Sequence, residues 1–360
     1  MSRKPESAGW LKTIEEIDVN SKKVLARLDL DVPLIKFKTQ SSKLKVADDT
    51  RLLNSLPTIQ YLVDRQAKIT IIGHLGRPDG KRVEELSLKP VADWFEAKFP
   101  GAGISVEENL RFDPGEEVGS PTFAQNIVRR LSPDVYIFDA FASYRPHASV
   151  VLMPKLVSKV AIGFRFEAEM SHLSKVLENP KKPVIFIIGG AKADTKITLI
   201  PKLAEKADEV LIGGLIGSMV QESTKMYLPA DATHQALQAG KKVQEGYGSK
   251  LRIAELRPGG LDITAESAKI FADKILLAGT VVWNGPMGKF EDGKHSAGTE
   301  IVARAMNQTR AYTVVGGGDT ETALTALRLE SGIDWISSGG GAMLYYLANS
   351  TLPFLEAIKN

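Results

Sequence analysis

Five stretches of the chain, VIFIIGGAKADTK (184–196), EVLIGGLIGS (209–218), TVVWNGPMGKFE (280–291), YTVVGGGDTET (312–322) and WISSGGGAM (335–343), repeat one pattern. An apolar run leads into glycine, and the glycine into a helix-like segment. Strands of parallel sheets are buried on both faces and read as near-continuous Val/Ile runs, so strand, turn and helix in repetition predict an open parallel sheet. In such a sheet every strand-to-helix turn lies at the carboxyl edge, where ligands bind, and glycine lets backbone N–H groups approach an anion at a helix N-terminus. One glycine turn is ordinary punctuation. Five between residues 184 and 343 point to a polyphosphate site. None contains G-x-x-x-x-G-K-(S/T) or G-x-G-x-x-G, so neither the P-loop nor the dinucleotide fingerprint is present.

The alternation continues in the first half. Strand-like runs at Val24–Val32, Lys68–Gly73 and Val135–Phe138 join those at Val184–Ile188, Glu209–Ile212, Thr280–Trp283 and Tyr312–Val315. Amphipathic spacing predicts helices at Arg51–Arg65, Lys196–Ala207, Ser296–Met306 and Thr320–Leu329. The fold class expected from this alternation is α/β with parallel sheets, in two domains. A polar helical stretch, Glu167–Glu178, followed by Asn179-Pro180-Lys181-Lys182, marks the boundary. Residues 221–263 show no clear strand after a helical pattern around Ala236–Gln244.

Composition narrows the function classes. A chain of 360 residues suits two domains, and its 43% hydrophobic and 25% charged residues are ordinary for a globular protein. No apolar run approaches the ~20 residues of a membrane helix, and the opening MSRKPESAGW carries no secretory pattern, so a cytoplasmic location and no membrane partner are expected. The absence of cysteine excludes disulfides, thiolate metal sites and cysteine nucleophiles. A net charge of +3 is far from that of a dedicated nucleic-acid binder.

Lys192 and Lys196, four apart beside a glycine turn, can reach the same phosphates. Asp319 follows three glycines at a helix start, where it serves either as a cap or as a carboxylate for Mg2+. In the first half Asp29 and Asp31, Arg51, His74 and Arg77, Arg111, and Arg145 with His147 all follow strands or open helices. Guanidinium is the group for forked recognition of phosphate or carboxylate, and four converging arginines imply a small, multiply anionic ligand.

RLDLDVPL (27–34), DDTR (48–51), GHLGRP (73–78), SLKPVA (87–92), ENLRF (108–112), DAF (139–141) with RPHAS (145–149), GGAKADTKI (189–197), VVWNGPMGKFE (281–291), VVGGGDT (314–320) and SSGGGA (337–342) occur in the order found in phosphoglycerate kinases. The resemblance spans nearly the whole chain. It implies two doubly wound parallel-sheet domains, each a three-layer α/β/α sandwich, facing each other across a cleft: an N-terminal 3-phosphoglycerate-binding domain over 1–165, an interdomain helix and hinge over 166–182, a nucleotide-binding domain over 183–347, and a tail, 348–360, returning to the first domain. By matching positions, Asp29, Leu30, Asp31, Arg51, His74, Leu75, Gly76, Arg77, Arg111, Arg145 and His147 would meet the phosphoglycerate. Lys192, Lys196, Gly213, Gly214, Asn284, Glu291, Gly317, Gly318, Asp319 and Thr320 would meet ATP or ADP, with Asp319 on Mg2+. Arg51, Lys196 and the backbone at Gly318 and Gly341 would neutralise the transferring phosphoryl group. A monomer that closes about its hinge is implied. Departures from the family pattern are Asp31 for a usual Asn, Leu30 for an aromatic, Tyr144 for a histidine and Leu215 for a third glycine. Two other readings compete: an inactive nucleotide-binding relative acting as sensor or scaffold, and a two-domain NAD-dependent oxidoreductase, which lacks its glycine fingerprint here.

Overall fold

The computed structural model describes residues 9–36, 44–191, 196–220 and 245–359. Lys192 and the helical pattern around Ala236–Gln244 lie outside them. The chain divides into two units: Met1–Ser171 with Leu352–Asn360, and His172–Thr351.

The first unit contains β1 (Lys23–Leu28), β2 (Leu34–Lys36), β3 (Leu44–Val46), β4 (Lys68–Ile72), β5 (Ser105–Val106), β6 (Val135–Asp139) and β7 (Val160–Ile162). Strands β2 and β3 form a small antiparallel ribbon, and the other five form a parallel sheet in the order β5-β4-β1-β6-β7. The chain moves outward from β1, returns beside it as β6, and moves out the other way. Right-handed crossovers therefore place helices on opposite faces in the two directions, and the reversal opens a crevice at the carboxyl ends of β1 and β6. Register pairs Leu28 with Asp139 there. The helix Thr50–Asp64 buries Leu52, Ser55, Ile59 and Leu62 at helical spacing, and its apolar members pack with Val24, Ala26, Leu28, Ile69 and Ile71.

The helix Phe164–Leu177 begins in this unit. Its first turn is held by two buried groups. Thr58 Oγ1 accepts the Phe164 N–H at 2.9 Å and donates to Asp139 Oδ2 at 2.6 Å, and Asp139 Oδ1 accepts the Phe166 N–H at 2.7 Å. Burial pushes the Asp139 carboxyl up to about 7, against the pull of these hydrogen bonds. From the returning segment, Phe354 stacks on Phe138 with ring centroids 4.0 Å apart and meets Phe166 edge-on at 5.6 Å.

The second unit contains β8 (Val184–Ile188), β9 (Glu209–Ile212), β10 (Leu251–Ile253), β11 (Thr280–Asn284), β12 (Tyr312–Gly316) and β13 (Trp335–Ser337), all parallel in the order β10-β9-β8-β11-β12-β13. Here the reversal lies between β8 and β11, where Ile188 pairs with Asn284. The helices Gly318–Leu327 and Gly340–Asn349 follow β12 and β13 directly. Strand β10 corrects the expectation that 221–263 holds no strand: it is three residues long at a sheet edge, too short to imprint a pattern. Among the described residues no helix is long and apolar enough to cross a membrane.

Candidate active site

Arg27, in the penultimate position of β1, is fully buried. Its Nη1 donates to the carbonyl of Leu28, its Nε to Ser149 Oγ at 3.1 Å, and its Nη2 to Ser143 Oγ at 3.1 Å and His74 Nδ1 at 2.8 Å. Two residues on, Asp29 Oδ2 accepts the Ala142 N–H and Oδ1 the Ser143 hydroxyl, both at 3.0 Å, which ties the end of β1 to the turn after β6. Burial raises the Asp29 pKa, and Arg27 and Arg51 oppose the rise.

Burial, then Arg27, Arg111, His147 and Arg51, hold His74 well below the usual histidine range. His147 is pushed down to about 4 by burial and by Arg111, Arg27 and Arg145. Both rings are therefore neutral at pH 7 within a cationic environment. Arg111 donates through Nη1 to the Gly76 carbonyl at 2.8 Å. Its Nε lies 3.3 Å from Glu117 Oε1 without being aimed at it in hydrogen-bonding geometry. Among the described residues, the side chains of Arg51, Arg77 and Arg145 make no hydrogen bond or ion pair, and the last two residues are exposed. Asp31 Oδ1 accepts the Gly76 N–H at 2.8 Å, linking two loops of the same edge. Leu30 and Leu75 send their side chains into the core, 0% and 3% exposed, so they can offer a ligand only backbone groups.

The second crevice is built differently. Lys196 Nζ donates to the Gly189 carbonyl at 2.7 Å and lies 3.5 Å from that of Asn284, so it spans the β8 and β11 turns. Gly214, which opens the helix Gly214–Val220, packs against Gly190, and a Cβ on it would stand 2.9 Å from the Gly190 nitrogen. Gly213 packs against Met287. Asn284 is buried; its Nδ2 donates to the Gly316 carbonyl at 2.5 Å, and its Oδ1 is sealed from solvent with no hydrogen-bond partner among the described residues. Thr320 Oγ1 accepts the Gly285 N–H at 2.8 Å.

Two helix N-termini meet beside Asn284. Gly317, with φ of +105°, caps the helix Gly318–Leu327 through its carbonyl alone. A Cβ on Gly340 would stand 2.6 Å from Gly317 Cα and 2.4 Å from Asn284 Nδ2, so no other residue fits there unless the neighbours shift. Around Gly318 a Cβ would meet nothing within 4 Å: the helix start faces open space. First-turn N–H groups without side-chain caps, doubled by two helix dipoles, make an anion-binding surface. Asp319 is the second residue of its helix, not the cap, and is exposed.

Shared hydrogen bonds and electrostatic coupling bring together Asp29, Arg51, His74, Arg111, Arg145 and His147 in one unit, and Lys196, Gly214, Asn284, Gly317 and Thr320 in the other. Among the described residues no comparable contact ties in Arg77, Glu291 or Gly341, which stand at the carboxyl edges by position only. The sequence reading passed over Arg27 as a site residue. Its signal was a lone cation inside the apolar run VLARL.

Fold and crevices together define a two-domain α/β protein of doubly wound parallel sheets. The family model of phosphoglycerate kinase matches residues 14–106, 97–226 and 217–350. The phosphoglycerate kinase of Pseudothermotoga lettingae is 35% identical over 97% of this chain and 98% of its own length; that of Herpetosiphon aurantiacus is 34% identical over 97% and 99%. Among solved structures, phosphoglycerate kinase from Coxiella burnetii superposes with a TM-score of 0.80 at 29% identity, covering 97% of this chain and 99% of that one. The phosphoglycerate kinase of Pyrococcus horikoshii gives the same TM-score at 25% identity, covering 97% and 98%. The chain belongs to the phosphoglycerate kinase family, and by that membership it is a kinase. The matches favour this reading over the oxidoreductase and over the non-catalytic relative.

Proposed function

We propose that the chain catalyses reversible, Mg2+-dependent phosphoryl transfer between ATP and the carboxylate of 3-phosphoglycerate, giving ADP and 1,3-bisphosphoglycerate. The observation that carries this reading is the set of guanidinium groups at the carboxyl edge of the first sheet, Arg51, Arg77 and Arg145, whose side chains make no hydrogen bond or ion pair among the described residues, while Arg51 acts at longer range on Asp29 and Asp48. Three cations free of ion pairs, with two neutral histidines in the same unit, suit a small ligand bearing both a phosphate and a carboxylate.

The acceptor is a carboxylate, already ionised at pH 7, so the reaction needs no general base. Catalysis then consists of positioning and of neutralising charge on the transferring group. Arg51 does so from the first unit; Lys196 and the backbone N–H groups of the Gly317–Gly318 and Gly339–Gly341 turns do so from the second. Glu291 belongs to the proposed nucleotide set by resemblance alone, and Lys192 by resemblance and by its spacing from Lys196 beside the glycine turn. Acceptor and donor residues belong to different units, so transfer requires the two to approach, with the helix Phe164–Leu177 near the hinge.

No cluster of three or more His, Asp or Glu that could hold a metal occurs among the described residues. The carboxylate that the family resemblance assigns to the metal is Asp319, and a single carboxylate fits Mg2+, which takes one or two and completes its shell with water and substrate phosphates. When bound it would offset charge on the phosphate oxygens. We further propose a cytoplasmic monomer.

A coupled assay with purified protein, 3-phosphoglycerate, Mg2+ and each nucleoside triphosphate in turn tests the proposal. ADP formation that requires both phosphoglycerate and Mg2+ is expected. Turnover independent of phosphoglycerate, or none with any nucleotide, would refute it.

A further inference from the structure

A guanidinium has N–H donors on all three nitrogens and no acceptor, so a ring nitrogen 2.8 Å from Arg27 Nη2 must be the accepting one. That nitrogen is His74 Nδ1. The proton of the neutral ring then sits on Nε2, which makes no hydrogen bond among the described residues. We infer that Arg27 is a positioning residue: it locks His74 in the Nε2–H tautomer, as a neutral donor aimed at an anion.

The surroundings of Arg27 make it a stiff clamp. Its two other side-chain contacts are serine hydroxyls, and each hydroxyl passes the charge on to a buried carboxylate. Ser143 Oγ donates to Asp29 Oδ1 at 3.0 Å, and Ser149 Oγ donates to Glu116 Oε1 at 2.5 Å, with the Ser149 N–H on Glu116 Oε2 at 2.9 Å. Each carboxylate lies one serine hydroxyl beyond the guanidinium, two hydrogen bonds away, so together they anchor its plane without occupying the N–H that serves His74. The charged and titratable groups acting on His74 are Arg27 from β1, Arg51 from the helix Thr50–Asp64, Arg111 from the turn Leu110–Phe112 and His147 at the start of Ala148–Val151. All are cations or another neutral ring. Protonation of His74 would also place an N–H against Arg27 and break the bond. The anion-binding role rests on the acceptor site proposed above; the tautomer does not. It makes the contribution of His74 constant with pH where an ordinary histidine switches off.

Long-range 1H–15N correlation spectra of the whole protein, recorded from pH 5 to pH 8, read the tautomer directly. His74→Gln identifies the His74 signals among the five histidines. A neutral Nε2–H ring across the range is expected; an Nδ1–H ring, or a titration within the range, would overturn the inference. Arg27→Lys keeps the charge but loses the fork, and should give mixed tautomers. It should also raise KM for 3-phosphoglycerate about 10-fold with little change in kcat, the size of one hydrogen bond to a charged group. Wild-type tautomer and KM in that variant would overturn the clamp. Should Arg27→Lys fail to fold, Ser143→Ala, which frees one edge of the guanidinium, is expected to shift the same signals in the same direction, and unshifted signals there count against the clamp. If the wild-type tautomer is as stated and added 3-phosphoglycerate leaves the Nε2–H signal unmoved, the acceptor-site reading fails while the tautomer assignment holds.

Discussion

The two sheets have the same doubly wound logic, yet their crevices use different materials. At β1 and β6 the site is made of side chains: a buried arginine, two neutral histidines, carboxylates bridged by serines, and guanidinium groups that make no ion pair among the described residues. At β8 and β11 it is made of backbone, with glycines so close that methyl groups would collide and one asparagine amide wedged between two helix starts. A side-chain site can be tuned residue by residue because each group has its own partners. A backbone site presents N–H groups that no substitution except proline can remove but that one methyl group can displace.

That contrast breaks most visibly at the reacting centre. Arg51→Ala and Lys196→Ala should each lower kcat at least ~100-fold with little change in Tm, because each is assigned to charge that develops during transfer. Near-normal turnover in either would mean that backbone groups alone suffice. A smaller effect is expected from Gly340→Ala, whose Cβ would press on Asn284 and Gly317. Overpacking of this kind costs about 1–3 kcal/mol, so Tm should fall by several degrees and nucleotide affinity by roughly 10-fold. Calorimetry should show phosphoglycerate affinity unaltered; equal loss of both would erase the distinction between the crevices.

The smallest effect concerns Asp31. At ~4 Å a like-charge pair costs about 4 kcal/mol at an effective dielectric of 20, but Asp31 already accepts the Gly76 N–H and is attracted by Arg111. Asn keeps the acceptor oxygen and drops the charge. KM for 3-phosphoglycerate should fall about 2–3-fold at low salt and return toward wild type as salt rises. An unchanged or raised KM at every salt concentration would show that the carboxylate only braces the loop.

Much of this was legible before any coordinates. Val184–Ile188 and Glu209–Ile212 coincide with β8 and β9 residue for residue, because strands covered on both faces must be apolar throughout. The helix expected at Arg51–Arg65 lies one residue earlier, at Thr50–Asp64. Strands β5 and β10 escaped because two or three half-exposed residues carry no period. In the site, motif order marked positions but not directions. It could not say that Leu30 and Leu75 turn inward, that Asp319 stands beyond the cap, or that the cation of VLARL organises the acceptor crevice. Directions depend on partners far apart in sequence: Arg27 reaches Ser149, 122 residues away.

The returning segment Leu352–Asn360 bears on the order of events during synthesis. All of the residues of the second unit leave the ribosome before Phe354 does. The β8–β13 sheet can therefore assemble while Phe138 and Phe166 still lack the ring that covers them. The unit translated first completes its core last, so a nascent chain passes through an interval with one finished sheet and one aromatic cluster still open to chaperones or to the wrong neighbour.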